Sequence, residues 1–196
     1  MTVTAIVLAA GQGSRFRVEA GADKDKLLAD CVGLDGVIRP VIEQVLRNLP
    51  VGVVRRWLVT SPERSEVIRL ARVYGCEVLL LHSAGMGDSI AAAVAASSPS
   101  DGWLVVLGDM PFIQPSSIER VIDGMEQGGI SVPVQEGRYG HPVAFGREFG
   151  PGLMALSGDR GARSLFAEAI VNEVLVEDVG VLWDIDVPQS LSFKPI

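Results

Sequence analysis

The chain has 196 residues, 48% of them hydrophobic and 21% charged, a composition that excludes a disordered or fibrous protein and suits one globular domain over 1–196. Its net charge of −7 and sequence pI near 4.8 argue against nucleic acid as a partner, because a phosphate backbone demands a basic face. The mean hydropathy of +0.33 reflects a dense core: the N-terminal apolar run is interrupted by Gly11 and Arg15, too short for a signal or a membrane span, so a cytoplasmic protein with no membrane partner is expected.

In chain order, residues 3–9 form an apolar run that predicts a strand, and runs at 53–59, 77–81 and 103–107 read the same way. Near-continuous apolar side chains mark strands of a parallel sheet covered on both faces. Between them, Ile38, Val41, Ile42, Val45, Leu46 and Leu49 follow helical spacing, as do Val67, Leu70, Ala71 and Tyr74. Ile118, Val121, Ile122 and Met125 repeat the pattern after Pro115, a good first-turn residue, while Ser116 and Glu119 have capping-box spacing and leave that helix start open. Residues 130–134 and 142–145 read as short strands around a glycine-rich excursion, 162–170 as a helix, and 173–176 and 181–185 as closing strands. Such alternation predicts an α/β domain.

Ligands of open α/β sheets sit beyond the carboxyl ends of the strands, where several polar segments of this chain fall. Leu8-Ala9-Ala10-Gly11-Gln12-Gly13-Ser14-Arg15 leads out of the first strand. Small residues let backbone N–H groups approach anionic oxygens, and Arg15 together with Lys26 adds charge that backbone dipoles alone do not supply, a pattern suited to a polyphosphate. It is not a dinucleotide fingerprint, since Arg15 stands near the third glycine's place, and no Gly-Lys-Ser or Gly-Lys-Thr makes it a P-loop. An ordinary turn with a surface arginine is the plain alternative. In Asp23-Lys24-Asp25-Lys26-Leu27-Leu28, the leucines anchor the Lys26 stem, whereas Lys24 reads as the exposed lysine.

Gly108-Asp109-Met110-Pro111 ends another strand in a rigidly held carboxylate, the form of a magnesium ligand, since magnesium on a triphosphate takes only one or two protein carboxylates. Asp184 and Asp186 would share a strand face with Ile185 on the other, repelling unless a cation joins them, or else cap a final turn at Pro188. Gly85-Met86-Gly87-Asp88-Ser89 precedes an alanine-rich helix; Asp88 or Ser89 either caps it or meets a ligand. Of the two histidines, His141 follows a glycine turn within reach of a substrate and His82 reads as structural; neither has the cysteine help a zinc site needs. Ser157-Gly158-Asp159-Arg160-Gly161-Ala162-Arg163 offers an arginine pair to an anionic second substrate. Cys31 and Cys76, in apolar surroundings, read as reduced packing residues.

These segments, with Gly140-His141-Pro142-Val143, resemble in this order the molybdenum cofactor nucleotidyltransferases, the MobA-like family, and most closely their cytidylyltransferase branch. The resemblance implies a Rossmann-like nucleotidyltransferase with a mostly parallel sheet and helices on both faces. It implies transfer of CMP from CTP to the phosphate of molybdenum-molybdopterin, with Mg2+ as cofactor and release of pyrophosphate. Ala10 favours CTP, guanylyl-transferring relatives tending to glycine there. Carried over by position, Arg15, Lys26 and Asp109 are the catalytic set. Leu8, Ala9, Ala10, Gly11 and Gly13 hold the triphosphate, while Gly85, Met86 and Ser89 border base and ribose. His141, Asp159 and Arg163 face the acceptor, and Asp109 with Asp186 binds the metal.

A molybdenum hydroxylase or its maturation factor is the implied protein partner. Phe16-Arg17 departs from the small residue that usually follows the loop's arginine, and residues 30–39 are looser than the usual short turn. The alternatives are a transferase for another phosphorylated acceptor and a non-catalytic molybdenum cofactor carrier.

Overall fold

The computed structural model describes residues 2–82, 85–97 and 99–194, the side chain of Glu168 apart. At its centre β1 (Val3–Leu8) lies between two parallel neighbours, β4 (Arg55–Thr60) and β6 (Gly102–Leu107), and β5 (Glu77–Leu80) pairs in parallel with β4. Beyond β6, the antiparallel β9 (Val143–Gly146) leads to β7 (Gly129–Gln135). That strand pairs in parallel with β10 (Ile170–Leu175) and antiparallel with the short β8 (Arg138–Tyr139). A separate hairpin joins β2 (Asp30–Val32) to β3 (Ile38–Pro40).

The apolar runs have a simple cause: both faces of the sheet are covered. Successive residues of β1 alternate between two cores, Ala5 and Val7 in one and Ile6 in the other. The first core takes side chains from α2 (Val41–Asn48), α3 (Ser65–Val73) and α5 (Pro115–Asp123), including Ile42, Leu70 and Val121. The second takes Ile90 and Val94 from α4 (Met86–Ala96) and Leu153 from α6 (Gly150–Met154). A mostly parallel sheet with helices on both faces is therefore what the chain forms. No helix among the described residues is long and apolar enough to cross a membrane.

Several expectations are corrected. Ile38 belongs to β3 and is exposed, and the helix begins only at Val41, after Pro40. Residues 14–20 fold as α1 (Ser14–Ala20), whose Phe16 is buried in the first core. The helix expected over 162–170 is a run of tight 3-10 turns, Gly158–Glu168, broken where Gly161 takes a φ of 53°. The strand expected over 181–185 is instead a 3-10 turn, Val179–Leu182, because Asp178 accepts from the Gly180 N–H and winds the backbone. The same carboxylate accepts from the Gln114 N–H, and α5 starts at Pro115 without the Ser116–Glu119 capping box. Cys31 and Cys76 are unpaired and buried, which pushes each thiol up to about 11.

The topology positions one crevice. From β1 the chain winds outward to β4 and β5, then returns to β6 on the opposite side of β1. Connections therefore leave the carboxyl ends of β1 and β6 in opposite directions, and a hollow opens where they part. Gly108 keeps those ends together: its N–H donates to the Leu8 carbonyl at 2.9 Å. A β-carbon there would stand 2.8 Å from that oxygen and 3.2 Å from the Ile42 side chain. Gly108→Ala should lower stability by about 1–3 kcal/mol through overpacking, read as a reduced thermal midpoint; an unchanged midpoint would contradict this packing.

Candidate active site

The crevice is a cavity of about 340 Å³. The end of β1 supplies Leu8, Ala9, Ala10 and Gly11 to its wall, and the end of β6 supplies Leu107 and Asp109. Gly85, Met86 and Ser89 enter from the first turn of α4, Asp159 from the loop after α6, and Lys26 from a 3-10 turn, Lys26–Leu28. Residues far apart in sequence thus meet at the strand ends.

Lys26 is placed by its own short turn. Asp25 accepts from the Leu27 N–H at 3.0 Å and so caps it, while Leu27 is buried and anchors the stem. Gly13, left-handed at φ 62°, gives the stem room: a β-carbon there would lie 3.3 Å from Lys26 Cγ. The Lys26 side chain is 11% exposed, against 61% for Lys24. Its ammonium lies 2.5 Å from Asp109 Oδ2 and 3.8 Å from Asp186 Oδ1. The other oxygen of Asp186 accepts from Arg15 at 2.7 Å. Arg15 itself is largely exposed and outside the cavity wall, and Gly13 lies beneath Lys26 rather than in the wall.

The C-terminal segment reaches this charge cluster through its backbone. The Ile185 N–H donates to the Asp109 carbonyl at 2.9 Å and its side chain is buried, which fixes Asp184 and Asp186 on either side although no strand forms. Burial, then the charges of Asp186 and Asp109, push the Asp184 carboxyl up. Three carboxylates thus gather about two cations, Lys26 and the more exposed Arg15. Among the described residues no group of three or more histidine, cysteine or acidic side chains has metal-binding geometry. Two hard oxygen donors, Asp109 and Asp186, nonetheless fit an ion that completes its shell with phosphate oxygens and waters.

The residues expected to face an acceptor divide. Asp159 faces the crevice, whereas His141 and Arg163 line a second cavity of about 730 Å³ that adjoins it at Met86. That second wall is largely apolar and aromatic, with Val132, Phe145, Tyr139 and Phe166, and it also holds Arg160. Asp88 neither caps α4, whose N-cap is Gly85, nor lines either cavity. It accepts from the Gly158 N–H at 3.2 Å and docks the 157–163 segment onto the helix. Ser89 donates back to the Gly85 carbonyl at 3.2 Å. His82 is no packing residue: its side chain is exposed, 3.6 Å from Glu63. Of residues 81–85, Ser83 and Ala84 lie outside the described residues.

The motifs give no hint of Arg64. It precedes α3, and its guanidinium donates to the Ala9 carbonyl at 2.8 Å and the Gly11 carbonyl at 2.5 Å, with Asp25 3.4 Å away. The signal available in the sequence is an arginine just past the strand next to β1, a position common to many surface arginines.

Burial lowers His141 to about 4, against a smaller upward pull from Asp109, and its Nδ1 has no partner among the described residues. The imidazole is therefore neutral at physiological pH. In the unfolded chain it takes up a proton near pH ~6.5. Its contribution to stability is full above that value and is lost as pH falls toward about 4. An NMR titration should find His141 neutral well below the ordinary histidine range, and wild type should lose more stability between those two pH values than His141→Asn. Protonation at an ordinary histidine pKa would contradict the burial.

Comparison with known proteins agrees with this architecture. The chain matches the MobA-like NTP transferase domain over residues 5–174. Among curated proteins it is similar to the bifunctional protein GlmU of Cereibacter sphaeroides, 33% identical over 156 residues that cover 75% of this chain and 32% of that one. It spans about a third of the length of the curated relatives it matches. Among solved structures it is similar to Rv0371c of Mycobacterium tuberculosis H37Rv, with a TM-score of 0.80 and 26% identity over 97% of this chain and 95% of that one. A nucleotidyl transferase of Methanothermobacter thermautotroptrophicus shares the fold, with a TM-score of 0.79 and 23% identity over 96% and 94% of the two chains. The chain belongs to the MobA-like NTP transferase domain family.

Proposed function

We propose that the chain is a nucleotidyltransferase that moves CMP from CTP to the phosphate of molybdenum-molybdopterin and releases pyrophosphate. One observation carries the reading: Lys26, Asp109 and Asp186 converge at the β1–β6 crevice beside the small-residue loop. A largely buried lysine–aspartate pair with a second carboxylate at hand, beside a loop of small residues, forms the pattern a metal-bound triphosphate needs.

An acceptor phosphate oxygen attacks the α-phosphorus of CTP in line. The new P–O bond forms as the bond to the α–β bridging oxygen breaks, and pyrophosphate leaves with that electron pair. No covalent enzyme intermediate is needed, so the chain contributes positioning and charge. Lys26 and Arg15, exchanging their carboxylate partners for phosphate oxygens, neutralise the triphosphate and the departing pyrophosphate. Asp109 and Asp186 would hold Mg2+, which supplies further positive charge to those oxygens. Leu8, Ala9, Ala10 and Gly11 wrap the nucleotide, with Gly85, Met86 and Ser89 beside the base and ribose.

The second cavity supports the acceptor assignment. Apolar and aromatic walls around Val132, Phe145 and Phe166, with Arg160 and Arg163 present, suit a flat heterocycle carrying a phosphate. Neutral His141 is there to hydrogen-bond the heterocycle. Asp159, in the crevice wall, stands between the two ligands. A pure cofactor carrier has no use for the Lys26–Asp109–Asp186 charge cluster. The reading places the protein in the reducing cytoplasm, in keeping with the unpaired Cys31 and Cys76, where a molybdenum hydroxylase or its maturation factor would receive the product.

Pyrophosphate release should be measured across the four ribonucleoside triphosphates with molybdenum-molybdopterin or a sugar phosphate as acceptor. The expected result is Mg2+-dependent release, fastest with CTP and the pterin phosphate. Asp109→Asn should raise the barrier by on the order of 2.7–4 kcal/mol, as the loss of other charge-stabilising groups does, while the fold survives. Release with sugar phosphates alone would overturn the acceptor, and full activity of Asp109→Asn would remove that carboxylate from the mechanism.

A further inference from the structure

Arg64 is a charged side chain only 10% exposed, and no motif accounts for it. It leaves the loop after β4, the strand beside β1, and lines a further hollow that shares Ala10 and Gln12 with the crevice. Its two terminal nitrogens are spent on two carbonyls of the loop, Ala9 at 2.8 Å and Gly11 at 2.5 Å. Thr60 adds a third donor, its hydroxyl reaching the Ala9 carbonyl at 3.1 Å. The remaining edge of the guanidinium faces Asp25, with Nε 3.4 Å from Oδ2. Burial lowers the Arg64 pKa while Asp25 opposes the shift, so the charge is held in place at a desolvation penalty that a surface arginine never meets.

Two consequences follow from elementary geometry. A trans peptide sets its N–H opposite its C=O. Drawing the carbonyls of Ala9 and Gly11 toward Arg64 therefore turns the amides of Ala10 and Gln12 away from it, and both residues line the crevice. Second, the Asp25 carboxylate that faces Arg64 also caps the 3-10 turn carrying Lys26, through the Leu27 N–H at 3.0 Å. One fork-shaped cation thus joins both anion-binding parts, the amide loop and the lysine turn.

We propose that Arg64 is a positioning residue that locks the 9–12 loop and the Lys26 turn into a single preorganised triphosphate cradle without touching the nucleotide. The inference rests on the nucleotide-binding reading above. An arginine is required because a lysine ammonium cannot serve two carbonyls and a carboxylate in one plane.

The test compares wild type, Arg64→Met and Arg64→Lys in calorimetric binding of CTP and of CMP with Mg2+, together with steady-state kinetics. Loss of the cradle should weaken CTP by on the order of tenfold or more in Arg64→Met, the size expected for lost charge-assisted hydrogen bonds. CMP, which lacks the β- and γ-phosphates, should bind as to wild type. KM for CTP should rise while KM for the acceptor stays, and Arg64→Lys should recover part of the loss. If Arg64→Met does not fold, the same split between CTP and CMP is read in Arg64→Lys. Equal weakening of CTP and CMP, or no weakening, overturns the positioning role. A wild-type protein that binds no triphosphate at all overturns the nucleotide reading instead, and with it this inference.

Discussion

The contact between Lys26 and Asp109 is the one on which this site depends. The ammonium comes from a short turn early in the chain and the carboxylate from the tip of β6, and they meet 2.5 Å apart with both side chains largely buried. Such a pair is stable only because each partner is aimed by backbone structure: Lys26 by its Asp25-capped turn, Asp109 by the Gly108 contact with the end of β1. Desolvated opposite charges are also held in readiness. A ligand that carries both a cation and phosphates can take each partner in turn, leaving no buried charge unpaired. Without it, the chain satisfies itself internally, through Lys26–Asp109 and Arg15–Asp186.

Much of this was open to reading from the residues. Strand runs covered on both faces have to be apolar throughout, so β1 and β6 stand out at once, and the carboxyl ends of β1 and β6 carry the glycines and the aspartate that give the crevice away. Lys26 rather than Lys24 follows from Leu27, because a buried neighbour fixes one stem and leaves the other in water. Residues 158–168 and 179–185 resist such reading. Their 3-10 turns are imposed by individual contacts, Asp178 on the Gly180 N–H and the positive φ of Gly161, which no periodicity announces. Yet Ile185 still anchors Asp184 and Asp186 beside Asp109, so the carboxylates gather without the expected strand. Arg64 escapes sequence reading for a related reason: its partners are backbone carbonyls, which every sequence contains.

The two adjoining cavities express a division of labour on one scaffold. In the proposed reading the nucleotide half is the crevice, built from strand-end backbone, small side chains and a few charges, and would serve any donor of this kind. The other half is walled by side chains of β7, β9 and the 3-10 turns, where β9 runs antiparallel to its neighbours. Met86 borders both, and Asp88 ties the helix of one half to the loop of the other. On that reading the choice of acceptor would lie in the less regular part of the fold, where small changes in turns reshape a wall without disturbing the sheet.

The central claim is that Asp109 and Lys26 bind a metal and a triphosphate as one unit at the parting of β1 and β6. Calorimetric titration of CTP with and without Mg2+, in wild type and Asp109→Asn, tests it most directly. The account predicts that Mg2+ strengthens CTP binding to wild type and that this gain disappears in Asp109→Asn. An identical response to Mg2+ in both proteins would contradict it.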